Sequence, residues 1–152
     1  MKKTCLVVGI GNPLLRDDKL GIQVVETLNN QQVPVETTIL YTVGFELIDK
    51  ILGYEKVIII DAAKFGKLPG TILELRLEDI FTTHALINSH AITLGTTLKT
   101  GYLIFPEEMP RKLKIILVEA EDTTHFGKEC SPAVRQAIEK VVERIKEDLR
   151  SM

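Results

Sequence analysis

The sequence predicts an α/β protein: a three-layer α/β/α sandwich in which helices cover both faces of a mostly parallel, twisted sheet. Three observations predict it. Apolar runs recur without polar alternation at residues 5–10, 57–60 and 115–118, the pattern of strands buried on both faces. Stripes of helical spacing lie between those runs. No linker-like, repetitive or low-complexity stretch divides the 152 residues, so the whole of 1–152 reads as a single domain.

The first strand is stopped by Gly9, Gly11, Asn12 and Pro13. Leu20, Val24, Val25 and Leu28 then share one helical face, and Leu47, Ile48, Ile51 and Leu52 share another. The central apolar run ends in Asp61. A turn at Pro69 and Gly70 introduces a strand over residues 71–76. A further helix begins near Ser89 and runs through Leu94 and Leu98, with Gly101 either closing it or lying within it. The last helix is the best marked. Ser131 is placed to cap it, Pro132 suits its first position, and Val134, Ile138, Val141, Val142 and Ile145 form its apolar stripe.

Composition excludes several classes of function. Lys and Arg number 19 against 21 Asp and Glu, a net charge of -2, so the chain lacks the cationic surplus that binding nucleic acid through phosphates demands. No apolar run approaches the roughly 18 residues of a membrane helix. The run at 5–10 is too short for a signal-peptide core. Two cysteines, Cys5 and Cys130, make no disulfide framework and no CxxC pair. These features point to a cytoplasmic protein with both thiols reduced.

Sites in open α/β sheets form beyond the carboxyl ends of the strands. Asp17 and Asp18 follow the first strand, Asp61 ends the central one, and His90 stands in the first turn of the helix near Ser89. Two carboxylates and an imidazole can thus converge at one rim, a donor set suited to nickel, zinc or a similar ion. Each residue also has a plainer role open to it. Asp17 and Asp18 are suited to capping the helix they precede; Asp61 could bind loop amides; His90 could pack or cap. If the helix start is misplaced, His84 is the rival ligand.

Other signals are weaker. Gly9 and Gly11 lack the third glycine of a dinucleotide fingerprint, and neither HExxH nor GxSxG occurs. Cys5 is expected in the core. Cys130 precedes a helix start, where a thiol pKa can fall, but is expected to act as a small apolar contact. His84 and His125 are expected at the surface.

Taken together, these motifs resemble the nickel–iron hydrogenase maturation endopeptidases. The resemblance is carried by Gly9, Gly11 and Asn12 with Asp17, Asp18 and Gly21; by Thr42, Gly44, Glu46 and Leu47; by Asp61 with Pro69 and Gly70; by His90; and by Ser131, Pro132 and Val134. It spans nearly the whole chain, and the order and spacing of the blocks make it specific. It implies a five-stranded, phosphorylase/hydrolase-like fold and an enzyme that removes the C-terminal extension of a hydrogenase large-subunit precursor once nickel is inserted. It further implies that Asp18, Asp61 and His90 bind that nickel, which the substrate supplies, and that the enzyme keeps no organic cofactor. Which residues perform the hydrolysis is unknown from the sequence; these three are the best candidates. Asp18 stands where some members have Glu, and Lys19 stands where one branch often has Gly, which is expected to put a cation beside the site. The rival readings are a peptidyl-tRNA hydrolase, whose opening is similar but needs an early histidine absent here, and a non-enzymatic, chaperone-like nickel sensor on the same scaffold.

Overall fold

The apolar runs become strands because both their faces are covered. The computed structural model describes residues 3–86 and 89–152. Its elements begin β1 (Lys3–Ile10), α1 (Leu20–Asn30), β2 (Glu36–Leu40), α2 (Phe45–Ile51), β3 (Tyr54–Ala63) and β4 (Ile72–Leu75). They continue with α3 (Leu77–Thr82), a 3-10 turn (His84–Leu86), α4 (Ala91–Ile104), β5 (Lys112–Glu119) and α5 (Pro132–Arg150).

The strand order is β2-β1-β3-β5-β4, parallel except for β4, which runs antiparallel to β5 at the edge. Alternation along each central strand divides the core in two. Cys5, Val7, Ile58, Ile60, Ile116 and Val118 pack with α1 and α5. Leu6, Val8, Val57, Ile59, Ile115 and Leu117 pack on the opposite face with α2, α3 and α4. The three-layer sandwich follows directly from central strands whose middle stretches are apolar on both faces. β1 sends its connection to β2 on one side while β3 lies on the other, so the order reverses between β1 and β3. A crevice must open at their carboxyl ends.

Several local expectations change. The strand expected over 71–76 is ordered as Ile72–Leu75. Gly101 lies inside α4, where a Cβ would come within 2.9 Å of the Met109 methyl carbon. The short α3 has no clear sequence stripe; it is fixed by Ile80, fully buried against α4. Ser131 does occupy the N-cap position of α5, and Pro132 its first position, but the serine side chain makes no capping bond. Neither Asp17 nor Asp18 caps α1, whose N-cap is Lys19 without a side-chain bond.

Candidate functional site

Close backbone packing builds the crevice. Where α1 begins, the chain lies against the ends of β1 and β3 so tightly that no Cβ fits at three positions. One on Gly9 would lie 2.2 Å from the Gly21 carbonyl oxygen, one on Gly11 2.0 Å from that of Asp18, and one on Gly21 2.4 Å from that of Ile60. The glycine pattern thus serves to seat the loop carrying Asp18 directly on the sheet, not to cradle a dinucleotide.

Asp61 comes one residue after Ile60 on β3. Its parity with Val57 and Ile59 turns it to the face that carries α4. His90 is the N-cap residue of that helix, preceded by Ser89, whose Oγ accepts the Ala91 amide at 3.2 Å and donates to the Leu86 carbonyl at 2.7 Å. Asp18, Asp61 and His90 consequently line one cleft of about 500 Å³, together with Tyr41, Lys64 and Thr123. Among the described residues, no three His, Cys, Asp or Glu side chains are gathered into an ion-sized cluster. The trio shares a cleft without forming a finished coordination shell.

The electrostatics of the cleft are those of two acids in one confined space. Asp61 has its pKa pushed well above the usual carboxylate range, first by loss of water and second by the Asp18 charge, against an opposing hydrogen bond from the Ala62 amide. Asp18 is raised as well, chiefly by burial; the Asn12 amide, which it accepts at 3.2 Å, and the charge of His90 pull the other way. A cation entering the cleft would relieve both strains at once. Two carboxylate oxygen donors and an imidazole nitrogen fit a borderline divalent ion.

Two buried acids hold this arrangement in place: Asp17, expected from the sequence as a helix cap, and Glu119, which the sequence reading did not single out. Asp17 is fully buried and accepts the amides of Glu121, Asp122 and Ser131 at 2.9, 2.8 and 2.7 Å, plus the Ser131 hydroxyl at 2.8 Å. Glu119, at the end of β5, is 4% exposed and accepts the Phe65 and Lys67 amides at 3.1 and 2.8 Å. The first ties the Asp18 loop to the segment after β5, and the second fixes the loop following Asp61. Glu119 carried a readable signal, since it ends an apolar run as Asp61 does. Asp17 was legible as a residue but not in this role, because its partners are remote in sequence.

The remaining expectations divide. Lys19 does not put its charge into the cleft: it is 5% exposed, and its ammonium donates to the Gly127 carbonyl. His84 is exposed in the 3-10 turn and does not line the cleft, and His125 is exposed beside Asp122. Cys5 is buried. Cys130 is buried too, but as a hydrogen-bond donor, with its Sγ 3.1 Å from Gln23 Oε1; burial, then the Asp17 charge, push its pKa to about 12.

Comparison with known proteins gives a consistent result. Residues 22–148 match the family described as HycI, hydrogenase maturation protease. The hydrogenase 2 maturation protease of Escherichia coli is 35% identical, over 95% of this chain and 90% of that protein. The hydrogenase expression/formation protein HoxM of Azotobacter vinelandii is 28% identical, over 91% and 72% of the two chains. Among solved structures, the hydrogenase maturating endopeptidase HybD from E. coli superposes with a TM-score of 0.77 at 31% identity, covering 99% of this chain and 93% of its own. HybD from Thermococcus kodakarensis, a nickel–iron hydrogenase maturation protease, gives 0.74 at 25% identity, covering 97% and 98%.

Proposed function

This chain belongs to the hydrogenase maturation protease family, and from that premise we propose that its cleft recognises nickel carried by a hydrogenase large-subunit precursor before the precursor's C-terminal extension is removed. The protein is an endopeptidase of hydrogenase maturation, which displaces both the peptidyl-tRNA hydrolase and the non-enzymatic sensor readings. The nickel is part of the substrate, not a resident cofactor, and the site of action is the cytoplasm.

One observation carries the nickel reading. Asp61 is half-buried in the same crevice as Asp18, so two like charges share a confined space, an arrangement that is costly for an empty site and favourable once a cation arrives. His90 adds a nitrogen donor from the start of α4. Three protein donors leave room in the shell of a nickel ion for the substrate's own ligands, so occupancy reports loaded precursor. Peptide hydrolysis also needs a base for water and a proton for the leaving amine; Asp18, Asp61, His90, Lys64 and Tyr41 are the ionisable side chains lining the cleft.

The test compares nickel-loaded and nickel-free precursor. Wild type should shorten the loaded form and leave the empty one intact. His90→Ala and Asp61→Asn should stay folded, bind the two forms alike and shorten neither. Equal processing of both forms by wild type would end the nickel reading while leaving the protease assignment in place.

A further inference from the structure

The segment after β1 and the segment after β5 are laced into one platform beside the cleft. The Arg16 amide donates to the His125 carbonyl at 2.9 Å, that of Asp17 to Asp122 at 2.9 Å and that of Gly127 to Leu14 at 3.2 Å. Leu15 and Phe126 form an antiparallel bridge. Lys19 bonds the Gly127 carbonyl, and the Asp17 carboxylate gathers the amides of Glu121 and Asp122. The Arg16 stem lies over Gly127, where a Cβ would stand only 3.3 Å from its Cγ.

Despite this bracing, the platform presents apolar side chains to solvent: Leu14 is 64% exposed and Phe126 80%. Two large apolar groups left in water on a braced backbone contribute little to the folded chain. They suit association, because little ordering entropy is lost when a partner covers them.

Charge narrows the partner. Arg16 and Lys128 border Phe126 in a shallow recess of about 770 Å³. There Glu129 is engaged by Arg135 at 2.9 Å and Asp122 by His125 at 3.0 Å. Among the described residues, neither Arg16 nor Lys128 has a carboxylate partner. In a chain of net charge -2 these are local, unpaired cations. Position narrows it further, since the same two segments carry Asp18 and Thr123 into the cleft. The platform and the cleft are therefore neighbouring parts of the same two segments, within reach of one bound protein.

We propose that the platform is a docking site for the body of the cleaved precursor, taking an acidic surface segment with apolar side chains. The apolar groups would cover Leu14 and Phe126, and the carboxylates would meet Arg16 and Lys128. The proposal rests on the cleft being where the precursor's tail is recognised, and the test separates the two.

Leu14→Ser/Phe126→Ser and Arg16→Glu/Lys128→Glu alter only the platform. Their folding is checked by circular dichroism and thermal midpoint. Binding of nickel-loaded precursor is measured by calorimetry, and processing by KM and kcat. Each pair should weaken binding and raise KM by about tenfold or more while leaving kcat within about twofold. The charge reversal should also flatten the salt dependence of binding. Variants that bind as tightly as wild type while wild type processes normally would overturn the docking site and leave the cleft reading intact. Weakened variants of a wild type that binds but never cleaves would do the reverse. A wild-type dimer in sedimentation that either pair dissolves would assign the platform to a second copy and overturn the proposal.

Discussion

Ser131 and Asp17, 114 residues apart, meet in the interior, where the serine donates both its amide and its hydroxyl to the aspartate carboxylate, at 2.7 and 2.8 Å. The residue that marks the start of α5 in the sequence therefore serves the opposite end of the chain. Its hydroxyl fixes the neighbour of Asp18 instead of the first turn of its own helix.

This changes what Ser131→Ala should do. Loss of a cap would cost about 1 kcal/mol. Loss of a buried hydrogen bond to an ionised group costs about 1.5–3 kcal/mol. Urea unfolding of Ser131→Ala, Asp17→Asn and the double variant should give a coupling energy above about 0.5 kcal/mol. Additive effects would show that the two side chains act independently.

Gly21→Ala should destabilise the protein by about 1–3 kcal/mol, toward the upper end because the obstructing atoms are backbone carbonyls of Ile60 and Ile10 at 2.4 and 2.6 Å. Gly44→Ala is the matched control. Nothing lies within 4 Å of its added Cβ, and its φ of -177° is extended backbone open to any residue. Its unfolding midpoint should move by no more than about 0.5 kcal/mol equivalent.

Asp61→Asn should make the free protein more stable at neutral pH. The folded carboxyl keeps its proton to higher pH than the unfolded one, whose ordinary value is 3.8. Stability is thus lost as pH rises from that value through the raised folded pKa, and the full penalty persists above it. Asparagine never ionises and escapes the penalty. The gain in thermal midpoint over wild type should be largest near about pH 7 and shrink toward the ordinary carboxylate pKa. A midpoint at or below that of wild type near neutrality would mean that the carboxylate is better compensated than its burial implies.

Four of the five strands, the two-faced core and the positions of Asp61 and His90 were legible because each rests on a local pattern: an apolar run, a turn, an abrupt end in an acid, a helix start. The edge strand β2, only five residues long and mostly half-buried, has no apolar run and was not placed. The role of Asp17 was not legible, since its four donors come from residues 121–131 and only tertiary structure joins them. Lys19 misled for a related reason. Adjacency to Asp18 suggested a shared site, but the long side chain turns to the Gly127 carbonyl. Helix α3 escaped notice because six residues give too short a window for helical periodicity.

Both thiols should be inert in the native protein. Burial raises the pKa of Cys5, and that of Cys130 reaches about 12, so little thiolate exists near neutrality. A disulfide exchange reagent at about pH 8 should titrate neither in folded protein and both once denaturant is added. Rapid labelling of one thiol in the native state would contradict the buried Gln23–Cys130 pairing.

The antiparallel β4 precedes β5 in the chain yet sits outside it in the sheet, so β3 pairs directly with a strand that starts some fifty residues later, Lys56 opposite Lys112. That long-range pairing must form before the loops at the rim can be set, and the Asp17–Ser131 junction closes over a still greater separation. Such non-local closures slow folding and delay it until nearly the whole chain is present. On the ribosome, a nascent chain would already hold Asp18, Asp61 and His90 while their setting was unfinished. The cleft would then take its final shape only once the start of α5 has closed on Asp17.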